Sequence, residues 1–145
     1  MCKLVRHEDD EINKAEYVVY EDEKTLAYIA PLWWVNNPGN VLVIPKEHVE
    51  NIYNISDELL ANVYKTAKKI AIAIRKSYPS EGTSTRQHNE PAGGQDVWHF
   101  HVHVFPRYTN DNLYKNQDSY EWVGAEKRMH FVNILKKYFS ENKND

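Results

Sequence analysis

The stretch Trp98-His99-Phe100-His101-Val102-His103-Val104-Phe105 decides how this chain is read. Histidines stand at every second position, with bulky apolar residues between them. A β-strand sends successive side chains to opposite faces, so the alternation predicts a half-buried strand carrying all three imidazoles on one face. The other face, Trp98, Phe100, Val102 and Val104, is apolar enough to lie on a core. That leaves the histidine face looking toward water, a ligand or a metal. The loop Pro91-Ala92-Gly93-Gly94-Gln95 delivers the chain into this strand.

Working outward, Tyr17 to Tyr20 and Thr25 to Ile29 read as short strands joined by the turn-like Glu21-Asp22-Glu23-Lys24. Val41 to Ile44 is a β-branched run entered through Pro38-Gly39-Asn40 and closed by Pro45, which suggests an antiparallel meander. Ser56 offers an N-cap, and Asp57 and Glu58 follow in the first turn, where the helix dipole favours acids. Leu60, Val63, Ala67, Ile70, Ala71 and Ile74 then recur at helical spacing, and Pro79 ends the helix. Thr83 to Gln87 reads as another strand. A second helix is expected from about Ala125 to Phe139, with Met129, Val132, Leu135 and Phe139 on one side. The polar tail from Ser140 to Asp145 is expected to fray. Helices bracketing antiparallel strands make the fold class α+β.

The 145 residues suit one domain with a real core, here about 17–108 with a helical extension over 109–139. A formal charge of -3 and a pI near 6.2 argue against a nucleic-acid partner, which normally leaves a basic stripe. A mononucleotide needs only a few local donors. The one cysteine, Cys2, fits a reducing compartment. No apolar run approaches the roughly 20 residues that span a bilayer, so no membrane association and a cytoplasmic location are expected.

The segment His99-Phe-His101-Val-His103-Val-Phe, with Gly93-Gly94-Gln95 before it and Val41-Leu-Val-Ile-Pro-Lys-Glu-His48 upstream, resembles the histidine triad (HIT) superfamily of nucleotide hydrolases and transferases. The likeness covers about Tyr17 to Tyr108. It implies a HIT-like fold with an antiparallel sheet of about five strands, a central helix and a C-terminal helix, in a homodimer. It also implies metal-independent cleavage at the α-phosphate of a purine nucleotide conjugate, a dinucleoside polyphosphate or a phosphoramidate. The segment His103-Val-Phe-Pro-Arg107-Tyr is slightly closer to the dinucleoside polyphosphate branch.

An imidazole with an ordinary pKa of about 6.5 is mostly neutral at cellular pH and is a good nucleophile toward phosphorus. His101 matches the family's nucleophile and would form a transient nucleotidyl-imidazole. His99 and His103 match positions that orient it, contact phosphate oxygens and assist proton transfer. Gly93 and Gly94, through backbone N–H groups, and the Gln95 side chain would cradle the phosphate, since glycine allows close approach. Asp96 is grouped with these nucleotide contacts. Asn89 resembles a residue touching phosphate or leaving group, and His88 is its rival.

Three departures stand out. Asn40 and Asp96 replace a histidine and a Ser or Thr that the family often carries, which touches a hydrogen-bond relay behind the triad and one phosphate contact. In Ala30-Pro31-Leu32-Trp33-Trp34-Val35 no Asp or Asn stands where the family holds the ribose. Some bacterial relatives bind structural zinc through Cys-x-x-Cys and two histidines. Here Cys2, His48 and His99 supply a partial set without the first thiolate, and the expectation is no metal and no cofactor.

Other readings of the same residues stay open. Three histidines on a strand also suit zinc or iron, although the glycine loop weighs against that. The fold is also compatible with a nucleotide-binding or interaction protein that turns over little. His48 alone reads as a surface or second-layer residue, and His7 and His130 as solvent-exposed. Trp33 and Trp34 suit the core, a dimer contact or a wall for a base. Arg107 would meet a phosphate or an acidic neighbour.

Overall fold

The computed structural model describes residues 1–6, 8–115 and 119–142. His7, and the end of the expected frayed tail at 143–145, lie outside the described residues. The main sheet has five antiparallel strands in the order β1-β2-β4-β6-β5. These are β1 (Val18–Glu21), β2 (Thr25–Ile29), β4 (Val41–Pro45), β5 (Gly82–Gln87) and β6 (Val102–Arg107). The fold is therefore α+β, with the meander expected from the sequence running through β1, β2 and β4. A second, two-stranded sheet pairs β3 (Leu32–Trp34) with β7 (Tyr120–Trp122). Neither strand is apparent in the sequence, because three residues are too few to show a period.

β6 lies inside the main sheet, paired with β4 on one side and β5 on the other, and Leu42 stands directly opposite His103. Val41, Val43, Val102 and Val104 are all completely buried at this junction. Helix α2 (Asp57–Ser77) lies against β4, β5 and β6, and Ser56 Oγ accepts the Leu59 N–H at 3.3 Å as its N-cap. The buried stripe of α2 is Leu59, Val63, Thr66, Ala67, Ile70, Ala73 and Ile74. It is rotated slightly from the expected one, leaving Leu60 and Ala71 half-buried. Tyr78 continues the chain past the helix and donates its hydroxyl to Gly39 O at 3.2 Å.

Helix α3 (Ala125–Glu141) extends through Ser140 and Glu141, so these two residues are helical rather than frayed. It packs against β1, β2 and α2, joining the same apolar cluster. Its buried residues are Arg128, Val132, Leu135 and Tyr138, whereas Met129 and Phe139 are only partly covered. An arginine leads this stripe because both of its terminal nitrogens find carbonyls within, while its buried Nε has no partner among the described residues. Its guanidinium donates to Ile12 O at 2.6 Å and Ile29 O at 2.7 Å, and lies 3.5 Å from the Tyr17 ring centroid. The Pro38-Gly39-Asn40 turn also depends on α3: Gly39 has φ +79°, and a Cβ there would come within 2.5 Å of the Phe131 ring.

Removing the Arg128 head group would leave two carbonyls without their donor. Arg128→Leu is expected to lower stability by about 2–5 kcal/mol, read by urea denaturation. A loss below about 0.5 kcal/mol, the scale of ordinary surface changes, would contradict this account.

Candidate active site

Regular pairing of β6 begins at Val102; ahead of it the chain bends through His99, whose N–H donates to Val97 O at 2.9 Å, and runs unpaired through Phe100 and His101. This stretch is held by Phe100, which is completely buried and whose N–H donates to Val49 O at 2.6 Å. Trp98, expected on the core face, is instead 45% exposed. It lies ahead of the paired strand, where the alternation no longer governs orientation. The opposite correction applies to the histidine face, expected to look outward: His99 and His101 are only 2% and 5% exposed. Only His103 lies in the paired interior strand; α1 (Cys2–Val5) covers His99 through Cys2, and Trp34 closes over the His103 end of the trio.

Each ring's hydrogen bonds assign its tautomer. His101 Nδ1 lies 2.7 Å from His99 O. A carbonyl only accepts, so Nδ1 carries the hydrogen and Nε2 holds the lone pair. His99 Nε2 lies 2.9 Å from Pro45 O, so that nitrogen donates and Nδ1 holds the lone pair. His99 Nδ1 faces away from the other triad rings, 3.3 Å from Cys2 Sγ, and His48 Nδ1 is also 3.3 Å from that sulfur. His103 stacks on Phe105 with ring centroids 5.4 Å apart, and Trp34 meets both rings edge-on. His103 Nδ1 is buried with no partner among the described residues.

Burial favours the neutral form of all three rings. It pushes His99 down to about 4, against the bond that Nε2 donates to Pro45 O, and holds His103 well below the ordinary imidazole range. Burial also lowers His101, opposed by its bond to the His99 carbonyl and by the Asp96 carboxylate. A neutral His101 with its Nε2 lone pair available is the form that attacks an electrophile.

His88, half-buried, joins the group, with its ring centroid 6.1 Å from that of His103 and its Nδ1 2.7 Å from Gly93 O. Asp96 is exposed beside Val97 and Trp98. The remaining loop residues do not point at a phosphate. The N–H groups of Gly93, Gly94 and Gln95 are bonded to the carbonyls of Glu90, Pro91 and Glu90. The Gln95 side chain is buried, donating to Glu50 O and Val97 O and accepting from Glu90 N–H. Asn89 accepts from Ile52 N–H and exchanges hydrogen bonds with Gln87. A short loop leaves many backbone groups to satisfy, and these polar side chains satisfy them.

Asn40 is completely buried, and neither atom of its amide has a partner among the described residues. Trp33 belongs to the core, its indole N–H donating to Ala30 O at 2.7 Å. Arg107 meets an acidic neighbour rather than a free phosphate: it grips Asp111 through two bonds of 2.7 and 2.9 Å. That guanidinium, with Asn37 and two backbone N–H groups, holds the Asp111 carboxyl well below the usual carboxylate range. This clasp fixes the end of β6. The i, i+4 spacing of Arg107 and Asp111 was its only signal.

Cys2 Sγ and the donor nitrogens of His48 and His99 lie within 4.8 Å of one another. A thiolate and two imidazoles suit zinc, and the Pro45 carbonyl already orients His99 as a ligand's outer partner does. The three donors fit zinc, with a fourth place left for a solvent ligand.

These features are those of the HIT domain, whose sequence profile matches residues 11–110. The chain belongs to the HIT family. It is 43% identical to "Protein hit" of Bacillus subtilis over 90 residues, a match covering 62% of this chain and 61% of that relative. It is 28% identical over 116 residues to the bis(5'-adenosyl)-triphosphatase of Dictyostelium discoideum, covering 74% and 76% of the two chains. Among solved structures, a Zn-bound histidine triad family protein from Mycobacterium smegmatis superposes with a TM-score of 0.78 at 25% identity, covering 98% of this chain and 93% of that one. No helix among the described residues is long and apolar enough to cross a membrane.

The neutral triad carries a pH signature. Unfolded, His103 takes up a proton below about pH 6.5, whereas the folded site resists protonation. The unfolded state then binds more protons, so stability holds above about pH 7 and falls as the pH drops, by up to about 1.4 kcal/mol per unit. His103→Asn in metal-free protein is expected to make that decline shallower, measured by denaturation between pH 7.5 and 4.5. An unchanged slope would show that His103 titrates alike folded and unfolded.

Proposed function

We propose that this chain is a nucleotide hydrolase or nucleotidyl transferase that cleaves purine nucleotide conjugates at the α-phosphate through a covalent intermediate on His101. The observation that carries the proposal is the bond from His101 Nδ1–H to the His99 carbonyl, which leaves Nε2 as the unprotonated, oriented nucleophile. In the first step Nε2 bonds to phosphorus and the leaving group departs. In the second, water displaces the imidazole. Splitting the displacement in two lowers each barrier, and no metal enters either step. The name of the D. discoideum relative supports dinucleoside polyphosphates as the substrate class.

In this reading His99 serves through its backbone carbonyl, and its ring serves α1. Cys2, His48 and His99 would hold a zinc ion, whose chemistry there is to clamp the N-terminal helix onto the triad. The exposed Val35, Tyr120 and Trp122 beside the small sheet supply apolar surface for the homodimer that the family likeness implies.

A second reading, nucleotide binding with little turnover, is favoured by Asn40, buried and unpartnered, and by loop N–H groups already bonded within the loop. The two readings diverge in one experiment. With diadenosine triphosphate as substrate, His101→Ala is expected to cost at least about 10³-fold in kcat/KM. Peptide mass spectrometry of quenched reactions should place the nucleotidyl adduct on His101. Binding without turnover in the native chain selects the second reading, and equal rates in the variant eliminate His101.

Zinc is expected to raise the melting temperature of chelator-stripped protein, and Cys2→Ser to abolish that rise. An identical rise in both proteins would remove Cys2 from the ligand set.

A further inference from the structure

We propose that His88 is a fourth catalytic histidine, which passes the proton from its Nε2 to the group leaving the α-phosphorus and recovers one from the attacking water. This rests on the reading of His101 as the nucleophile. His101 and His103 have ring centroids 5.0 Å apart, and His88 and His103 6.1 Å apart, so the three rings form one continuous cluster. His88 comes to it from the end of β5, across the loop from the triad.

The ring is held in a defined orientation. His88 Nδ1 lies 2.7 Å from Gly93 O, and since a carbonyl only accepts, Nδ1 carries a hydrogen in either charge state. Nε2 is then the atom left to exchange a proton. The loop is shaped around this ring: Gly94 has φ +84°, and a Cβ there would approach His88 Nδ1 to 2.7 Å. A side chain at position 94 would displace the imidazole as well as strain the backbone.

Arg86, opposite His103 in the sheet, lies over the Trp34 and Phe105 rings with its Nη1 buried and unpartnered among the described residues, but a guanidinium is not a proton-exchanging group. The remaining polar groups near the triad are committed elsewhere. The His99 ring donates to Pro45 O and faces Cys2. Gln95 and Asn89 are used up in holding the loop. Asp96 is an exposed carboxylate standing where the family often has a hydroxyl, so it brings no neutral donor. His103 is enclosed by Phe105 and Trp34. His88 is half-buried and spans the distance between solvent and the enclosed rings. An imidazole is the side chain suited to exchanging protons near neutral pH.

The step balances. The His101 Nε2 lone pair forms the N–P bond while the bond from phosphorus to the leaving oxygen or nitrogen breaks. That atom keeps the electron pair and takes the proton from His88 Nε2. Water then attacks phosphorus and gives a proton to His88 Nε2, while the N–P electrons return to His101. Both histidines end as they began.

The test compares two substrates sharing the same adenylyl half: the n-butyl phosphoramidate of adenosine monophosphate, whose amine must be protonated to leave, and its p-nitrophenyl ester, whose phenolate leaves without a proton. kcat/KM reports the step in which the leaving group departs. His88→Asn retains an N–H for Gly93 O while deleting Nε2, and His88→Ala deletes both. Both variants are expected to lose at least about 10²-fold on the phosphoramidate and less than about 3-fold on the ester, with the Asn variant's affinity for adenosine monophosphate preserved. Equal losses on the two substrates, or no loss on either, would overturn the assignment. Retained affinity in the Asn variant separates lost chemistry from a collapsed loop. Failure of His101 is distinguishable: the native chain then yields no adduct on His101 from the ester, and both assignments fall together.

Discussion

The interior position of β6, paired to β4 on one side and β5 on the other, is the constraint on which the site depends. Phe100, Val102 and Val104 are completely buried, and a strand's side chains alternate strictly. A slip of one residue in the paired segment would exchange Val102 and Val104 with His103, at the cost of burying an imidazole in place of hydrocarbon. His101, one residue ahead of the pairing, is placed by its neighbour Phe100, which is completely buried and bonded to Val49 O. The orientation of the His101 ring adds one short bond to the backbone carbonyl of His99.

The triad has two unlike sides. Toward the N-terminus, His99 turns its ring to Cys2 and His48, with its Nε2 donating to Pro45 O. Toward the glycine loop, His101 and His103 meet His88 and the exposed Asp96. One backbone segment therefore joins the two sides, with His99 in both: its ring toward Cys2 and its carbonyl toward His101. Burial keeps the triad rings neutral on both sides, which suits lone-pair chemistry and removes them as proton donors.

The helices and the small sheet give this arrangement its walls. α2 and α3 join one apolar cluster with the main sheet, and α3 carries Arg128 into the interior where two carbonyls and the Tyr17 ring receive it. The β3–β7 pair brings Trp34 edge-on to His103 and Phe105, so the far end of the triad is closed by a segment from elsewhere in the chain.

The α+β class, both long helices and the trio of histidines were legible in the chain because each is written in a local period or cap: alternation in 98–105, the Ser56 cap, the stripe of α2; the count of five strands in one sheet came from the family likeness. The sequence also carried the family, through the histidine spacing and the Pro-Lys-Glu-His48 segment. Tertiary structure decided the rest, since burial and hydrogen-bond partners depend on residues far apart along the chain. Only the fold could show that Gln95 and Asn89 bond their own loop, that Arg107 belongs to Asp111, and that Trp98 lies outside while His101 lies inside. Only the fold could bring Cys2 across to His99, and His88 across the glycine loop to His103. No local pattern records such meetings, because a side chain's chemistry is set by what surrounds it, and the surroundings exist only once the chain has closed.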